Sequence, residues 1–76
     1  MNRLPLWDRL RWEATCLYRH LRSKGSSRKD ARTVARTVLR AARRKLRRDP
    51  FCVGDDVRGW FYGVIQEQSR LHLGDA

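Results

Sequence analysis

The stretch from Arg28 to Arg48 most constrains the fold, because its apolar and basic residues separate onto different faces at helical period. Ala31, Val34, Ala35, Val38, Leu39, Ala42 and Leu46 fall within one arc when each residue is advanced by about 100°. Arg32, Arg36, Arg40, Arg43 and Arg47 gather on the opposite side as a narrow stripe, with Arg44 next in line. At a rise of about 1.5 Å per residue the stripe is roughly 22 Å long, enough to follow several phosphates or a long acidic groove. Ser27 is placed to cap the free backbone N–H groups, with Asp30 completing a box-like cap. Asp49-Pro50 ends the helix, since the residue before proline avoids the helical region.

Two further segments share this periodicity. Leu6, Leu10, Ala14, Leu17 and Leu21 form one face of a first helix, flanked by Trp7 and Tyr18. Pro5 suits its first turn, and Gly25 supplies a stop. After a loop at Phe51 to Asp55, Asp55 or Asp56 can cap a third helix whose face carries Val57, Trp60, Phe61, Val64 and Leu71. Gly59 and Gly63 weaken that helix, and Gly-Trp-Phe-Tyr-Gly-Val-Ile also suits a strand. Helix is favoured because a lone strand has no partner for its backbone groups. The expected fold is a single all-α three-helix domain over residues 1–76, with a basic amphipathic central helix and helices at about 5–23, 28–48 and 56–72.

A chain of 76 residues makes at most one domain with a thin core. Its apolar content of 41% is too high for a purely disordered basic tail. Eighteen Lys and Arg stand against eight Asp and Glu, a net charge of +10, and all the basic residues are Arg except Lys24, Lys29 and Lys45. Nucleic acid (DNA or RNA), an anionic membrane and an acidic protein all answer such a field. The arginine bias favours phosphate or carboxylate, which the guanidinium fork grips bidentately. The plainer alternative is a solvated face in an Arg-rich chain.

Catalysis is not expected. There is no phosphate-cradling glycine loop, no nucleophile elbow and no carboxylate pair at a cleft, and a cap and a loop residue account for Asp55 and Asp56. Cys16, His20, Cys52 and His72 lack the paired spacing of a structural zinc site, so neither metal nor cofactor is expected. No secretory signal and no transmembrane segment is visible, and the widely spaced cysteines suggest no disulfide scaffold; an intracellular location is expected.

Three residues outside the stripe are candidates for contact. Trp12 falls with Cys16 on the side of the first helix away from the leucines, so it is either a partner contact or a residue covered by the third helix or the loop. Tyr62 lies off the core face between Gly59 and Gly63, suited to stacking on a base, and Arg58 stands one turn before it. Trp60 is expected in the core.

The order of residues resembles the helical domain of bacterial sigma factors that docks on RNA polymerase and melts the promoter, especially the extracytoplasmic-function group. The similarity rests on Leu17-Tyr18; on Gly25, Ser27, Arg28, Asp30 and Ala31; on Val34, Thr37, Leu39, Arg40 and Ala41; and on Asp56-Val57-Arg58-Gly59-Trp60-Phe61-Tyr62 with Val64, which looks like the family's D-V-R-A-W-L-Y-x-I. It spans Leu17 to Leu73, with one residue missing near Arg32. It implies a helical transcription regulator with RNA polymerase as partner. Arg32 and Arg36 stand where that family carries acidic residues facing the polymerase clamp, and the family's second domain has no counterpart here; the resemblance therefore implies a stand-alone version, a co-regulator or a decoy. Leu17-Tyr18-Arg19, followed by Leu21-Arg22, also resembles the basic three-helix LYR-motif proteins of mitochondria, though no phenylalanine lies between Leu39 and Leu46 as their pattern would have it. That similarity implies an adaptor or assembly factor in the mitochondrion, with the arginines on an acidic partner.

The reading that emerges is a non-catalytic basic helical protein that binds nucleic acid or a nucleic-acid machine. Its binding residues are Arg32, Arg36, Arg40, Arg43, Arg44, Arg47, Arg58 and Tyr62, with Trp12 as a partner contact.

Overall fold

A computed structural model describes the backbone from Pro5 to Gly74 and the side chains as far as Arg70. The chain folds into three helices, α1 (Leu6–Ser23), α2 (Arg28–Arg48) and α3 (Val57–Gly74), and the described residues contain no strand. The whole measures 38 × 27 × 16 Å, a thin slab in which α2 packs most extensively on α1 while α3 lies against both.

Each boundary has a local cause. Pro5 is the N-cap of α1 rather than a first-turn residue, and its carbonyl accepts from Asp8 and Arg9 at 3.0 and 3.1 Å. At the other end Gly25 adopts φ 101, so that Ser26 N–H reaches the Leu21 carbonyl and Gly25 N–H reaches that of Arg22. This paired closure requires a left-handed residue, which glycine supplies without strain. The Ser27 hydroxyl accepts from Asp30 N–H at 3.1 Å, and α2 stops at Asp49 in an extended conformation before Pro50. Of the two aspartates, Asp56 caps α3: its Oδ1 accepts from Gly59 N–H at 2.9 Å.

The core comprises Leu10 and Ala14 from α1, Val38, Ala42 and Leu46 from α2, Val57, Phe61 and Val64 from α3, and Val53 from the connecting turn. Leu10, Val38 and Phe61 are the largest fully buried side chains, and each contributes about 1.5–3 kcal/mol by leaving water. Ala31 and Ala35 are buried too, so α2 presents mostly small residues along its inner face. Trp60 is half-buried and packs against this core, as do Leu6, Leu17, Leu39 and Ile65.

Three details depart from the sequence expectation. Val34 shares the apolar arc of α2 but is 41% exposed, because it lines an open apolar groove between α2 and α3 together with Val38 and Ile65. Val53 sits in the core although it lies in the loop, since the turn folds back beneath α1 and α3. The strand alternative for Gly59 to Ile65 fails: Val57, Phe61 and Val64 share one helical face against the core. Side chains of Leu71 and His72, assigned above to the core face and to a weighed metal set, lie outside the described residues.

Candidate nucleic-acid interface

The arginine stripe does not stand alone on α2, because antiparallel packing lays α1 along one of its edges. Ala35 and Leu39, between the core arc and the stripe, join Ala14 in the floor of a groove between the two helices. Arg32 and Arg36 line one side, and Arg11, Thr15 and Tyr18 line the other, of this shallow, open groove of about 440 Å³. The stripe thus flanks the α1–α2 seam rather than lying diametrically opposite the core. Arg11 makes only a long contact of 3.9 Å to Asp8, with both side chains well exposed.

Further along α2 the arginines divide. Arg43 is half-buried, with its guanidinium carbon 5.9 Å from the ring centroid of Trp7. Trp7 itself remains 46% exposed, so the cation–π contact leaves one side of the indole free. Arg32, Arg36, Arg40, Arg44 and Arg47 are all exposed.

What the carboxylates do decides the electrostatics. Glu13 pairs with Arg58, Glu67 with Lys45, and Asp8 with Arg11. Asp56 and Asp49 accept from backbone N–H groups, and Asp30 lies in the first turn of α2, where negative charge is stabilised by the positive end of the helix dipole. Among the described residues, none of the six stripe arginines from Arg32 to Arg47 has an ion-pair partner. These six acidic residues pair with or cap other parts of the fold, and no described carboxylate neutralises the stripe.

The candidates outside the stripe fare differently. Arg58 donates through Nε to Glu13 Oε1 at 3.3 Å, and because the Glu13 side chain is only 14% exposed this pair fastens α3 to α1. Tyr62, one turn later on α3, is exposed. Trp12 is half-exposed, with the Arg19 guanidinium carbon 5.9 Å from its ring centroid. Trp12 and Tyr62 do not join the groove, so no single surface unites all the named residues.

Arg11 and Tyr18 belong to the groove but were not singled out from the sequence. Their place beside Arg32 and Arg36 depends on the antiparallel pairing of α1 with α2, although both border the leucine face of α1. Among the described residues no three His, Cys, Asp or Glu side chains come together, and no helix is long and apolar enough to cross a membrane.

No known family, no characterised protein and no solved structure matches this chain. What the fold and the surface define is a class: a small all-α three-helix domain with a basic groove.

Proposed function

We propose that this domain binds nucleic acid through the α1–α2 face, with Arg11, Arg32, Arg36, Arg40, Arg44 and Arg47 contacting phosphates, and that it acts inside the cell in gene expression without catalysis. The observation that carries the proposal is the row of stripe arginines without a carboxylate partner among the described residues. An unpaired row of like charge repels itself, and a polyanion removes that repulsion. Phosphate contacts of this kind are independent of sequence and release counterions on binding. The sigma-like resemblance adds a transcription machine, with RNA polymerase as a partner, to the same reading.

Titrating the protein against a fluorescent oligonucleotide at rising salt tests this. Affinity is expected to fall by about 10³-fold between 50 and 200 mM salt, the response of roughly six phosphate contacts. Replacing Arg36 and Arg40 by Gln shallows the slope by about one unit per arginine removed. A flat salt response overturns the proposal.

One observation favours a second reading, a protein-binding adaptor of the kind the LYR-like similarity implies. Trp12 is exposed under Arg19, and exposed tryptophans carry much of the binding energy at protein contacts. If Trp12→Ala abolishes capture of an acidic protein partner and leaves oligonucleotide affinity unchanged, the adaptor reading holds.

A further inference from the structure

Among the described residues, the most exposed large apolar side chain is neither on the stripe nor in the α1–α2 groove. Phe51, at the turn between α2 and α3, is 89% exposed. Its backbone is held on both sides. Phe51 N–H donates to Asp49 Oδ1 at 3.1 Å, and Cys52 N–H donates to the Asp49 carbonyl at 3.2 Å. Pro50 fixes the approach, and Val53 anchors the turn in the core two residues later. A turn tied down in this way presents the ring to solvent in a defined place instead of letting it fold onto the apolar surface beside it.

The ring has arginines close by, although Asp55 lines the same groove as Phe51 and the Asp49 carboxylate is engaged by the Phe51 N–H. Arg47 and Arg48 precede it in the last turn of α2, and Arg9 lines the shallow groove that Phe51 shares with Leu6. Leu6 is also the chain neighbour of Trp7, the indole that carries Arg43. This end of the bundle therefore sets two exposed aromatic rings among arginines, continuing from the C-terminal end of the stripe. An exposed phenylalanine near arginines that have no ion-pair partner among the described residues matches a ligand that alternates negative charge with flat apolar faces. Single-stranded nucleic acid has that chemistry: phosphates meet arginines while every base offers a π-face. In a closed duplex the base faces are hidden within the stack.

We propose that Phe51 is a stacking platform for an unpaired base, so that the preferred ligand of this domain is single-stranded nucleic acid whose phosphates run from the α2 stripe onto Arg47 and Arg48. The inference rests on the nucleic-acid reading above and adds to it the strand state of the ligand and the residue that selects it.

The test compares a fluorescein-labelled 15-nucleotide single strand with the duplex of the same length, at matched salt, for the wild type, Phe51→Ala, Phe51→Leu and Phe51→Trp. Stacking predicts that Phe51→Ala weakens single-strand binding by about 10-fold or more, with the salt slope and the duplex affinity unchanged. Phe51→Leu, apolar but without a π-face, falls with Phe51→Ala, and Phe51→Trp matches or exceeds the wild type. Equal losses on both strand states, or no loss in any variant, overturn the stacking role while leaving the arginine reading standing. A wild type that binds neither strand state overturns both. Phosphatidylserine vesicles serve as the remaining probe: binding to them that Phe51→Ala abolishes, with oligonucleotide affinity untouched, assigns the ring to a lipid surface and overturns the proposal. Because Phe51 lies outside the core, all three variants are expected to keep the helical circular dichroism of the wild type.

Discussion

Gly59 and Gly63 occupy the same helix one turn apart, yet they play different parts. A Cβ at Gly63 would meet nothing within 4 Å, whereas one at Gly59 would run into the carboxylate of Asp56 that caps α3. Gly63→Ala should therefore stabilise the domain by up to about 1 kcal/mol, the difference in helix propensity between the two residues. Gly59→Ala gains the same propensity but displaces the cap, worth about 1 kcal/mol, so its net effect should be near zero. Thermal melts of the two variants check this, a 1 kcal/mol change moving the midpoint by about 4–8 °C in a domain of this size. Phe51 and Arg58 make the same point about single residues. Both are exposed, but Arg58 has an internal partner in Glu13, and Phe51 has only solvent over its ring.

At the scale of the element, α2 packs one face into the core and carries the proposed binding residues on another, and substitutions should separate the two. Arg40 has no ion-pair partner among the described residues, whereas Arg58 on α3 pairs with a carboxylate that is mostly buried. Arg58→Ala is expected to lower stability by about 1 kcal/mol, since it removes the exposed partner of a mostly buried acid. Arg40→Ala should leave the urea midpoint within about 0.5 kcal/mol of the wild type and yet weaken oligonucleotide binding more than Arg58→Ala does. The opposite ranking in both measurements would return Arg58 to the interface and remove Arg40 from it. The third helix shows how tertiary context corrects a local preference: its two glycines and run of aromatics suit a strand as well as a helix, and the core accepts Val57, Phe61 and Val64 on one helical face.

For the whole molecule the dominant condition is a charge of +10 on 76 residues around a core of small and medium side chains. Stability for a domain of this length is on the order of 4–11 kcal/mol, so truncating a central residue such as Phe61, at about 3–5 kcal/mol, should remove much of it. Self-repulsion adds to this fragility, and salt screens it over a Debye length of about 8 Å at physiological strength. The free protein is therefore expected to melt at a higher temperature as sodium chloride rises from about 10 to 150 mM, over the range in which oligonucleotide affinity falls. A midpoint that drops with added salt would mean that the surface ion pairs outweigh the repulsion. Opposite salt responses of folding and binding distinguish an interface left unneutralised from a solvated face that happens to be basic.

The sequence by itself determined α1, α2, the Ser27 cap, the Gly25 stop and the stripe, because each depends on residues within a few positions of one another: Ser27 with Asp30, Gly25 with Leu21 and Arg22, and the arginines at helical spacing. It left the cap of α3 open between Asp55 and Asp56, and it set Pro5 inside the first turn of α1. Only the tertiary structure decided what lies beside the stripe and which charges are left over. Packing α1 antiparallel to α2 brings Arg11 and Tyr18 to Arg32 and Arg36, and it sets Trp7 beneath Arg43. The approach of α3 engages Arg58 with Glu13 and leaves Val34 uncovered, while the folded turn buries Val53 and turns Phe51 out to solvent. Helical period says which face of a segment is apolar, but the contacts between faces depend on how the helices cross, which is set jointly by all the side chains at their seams.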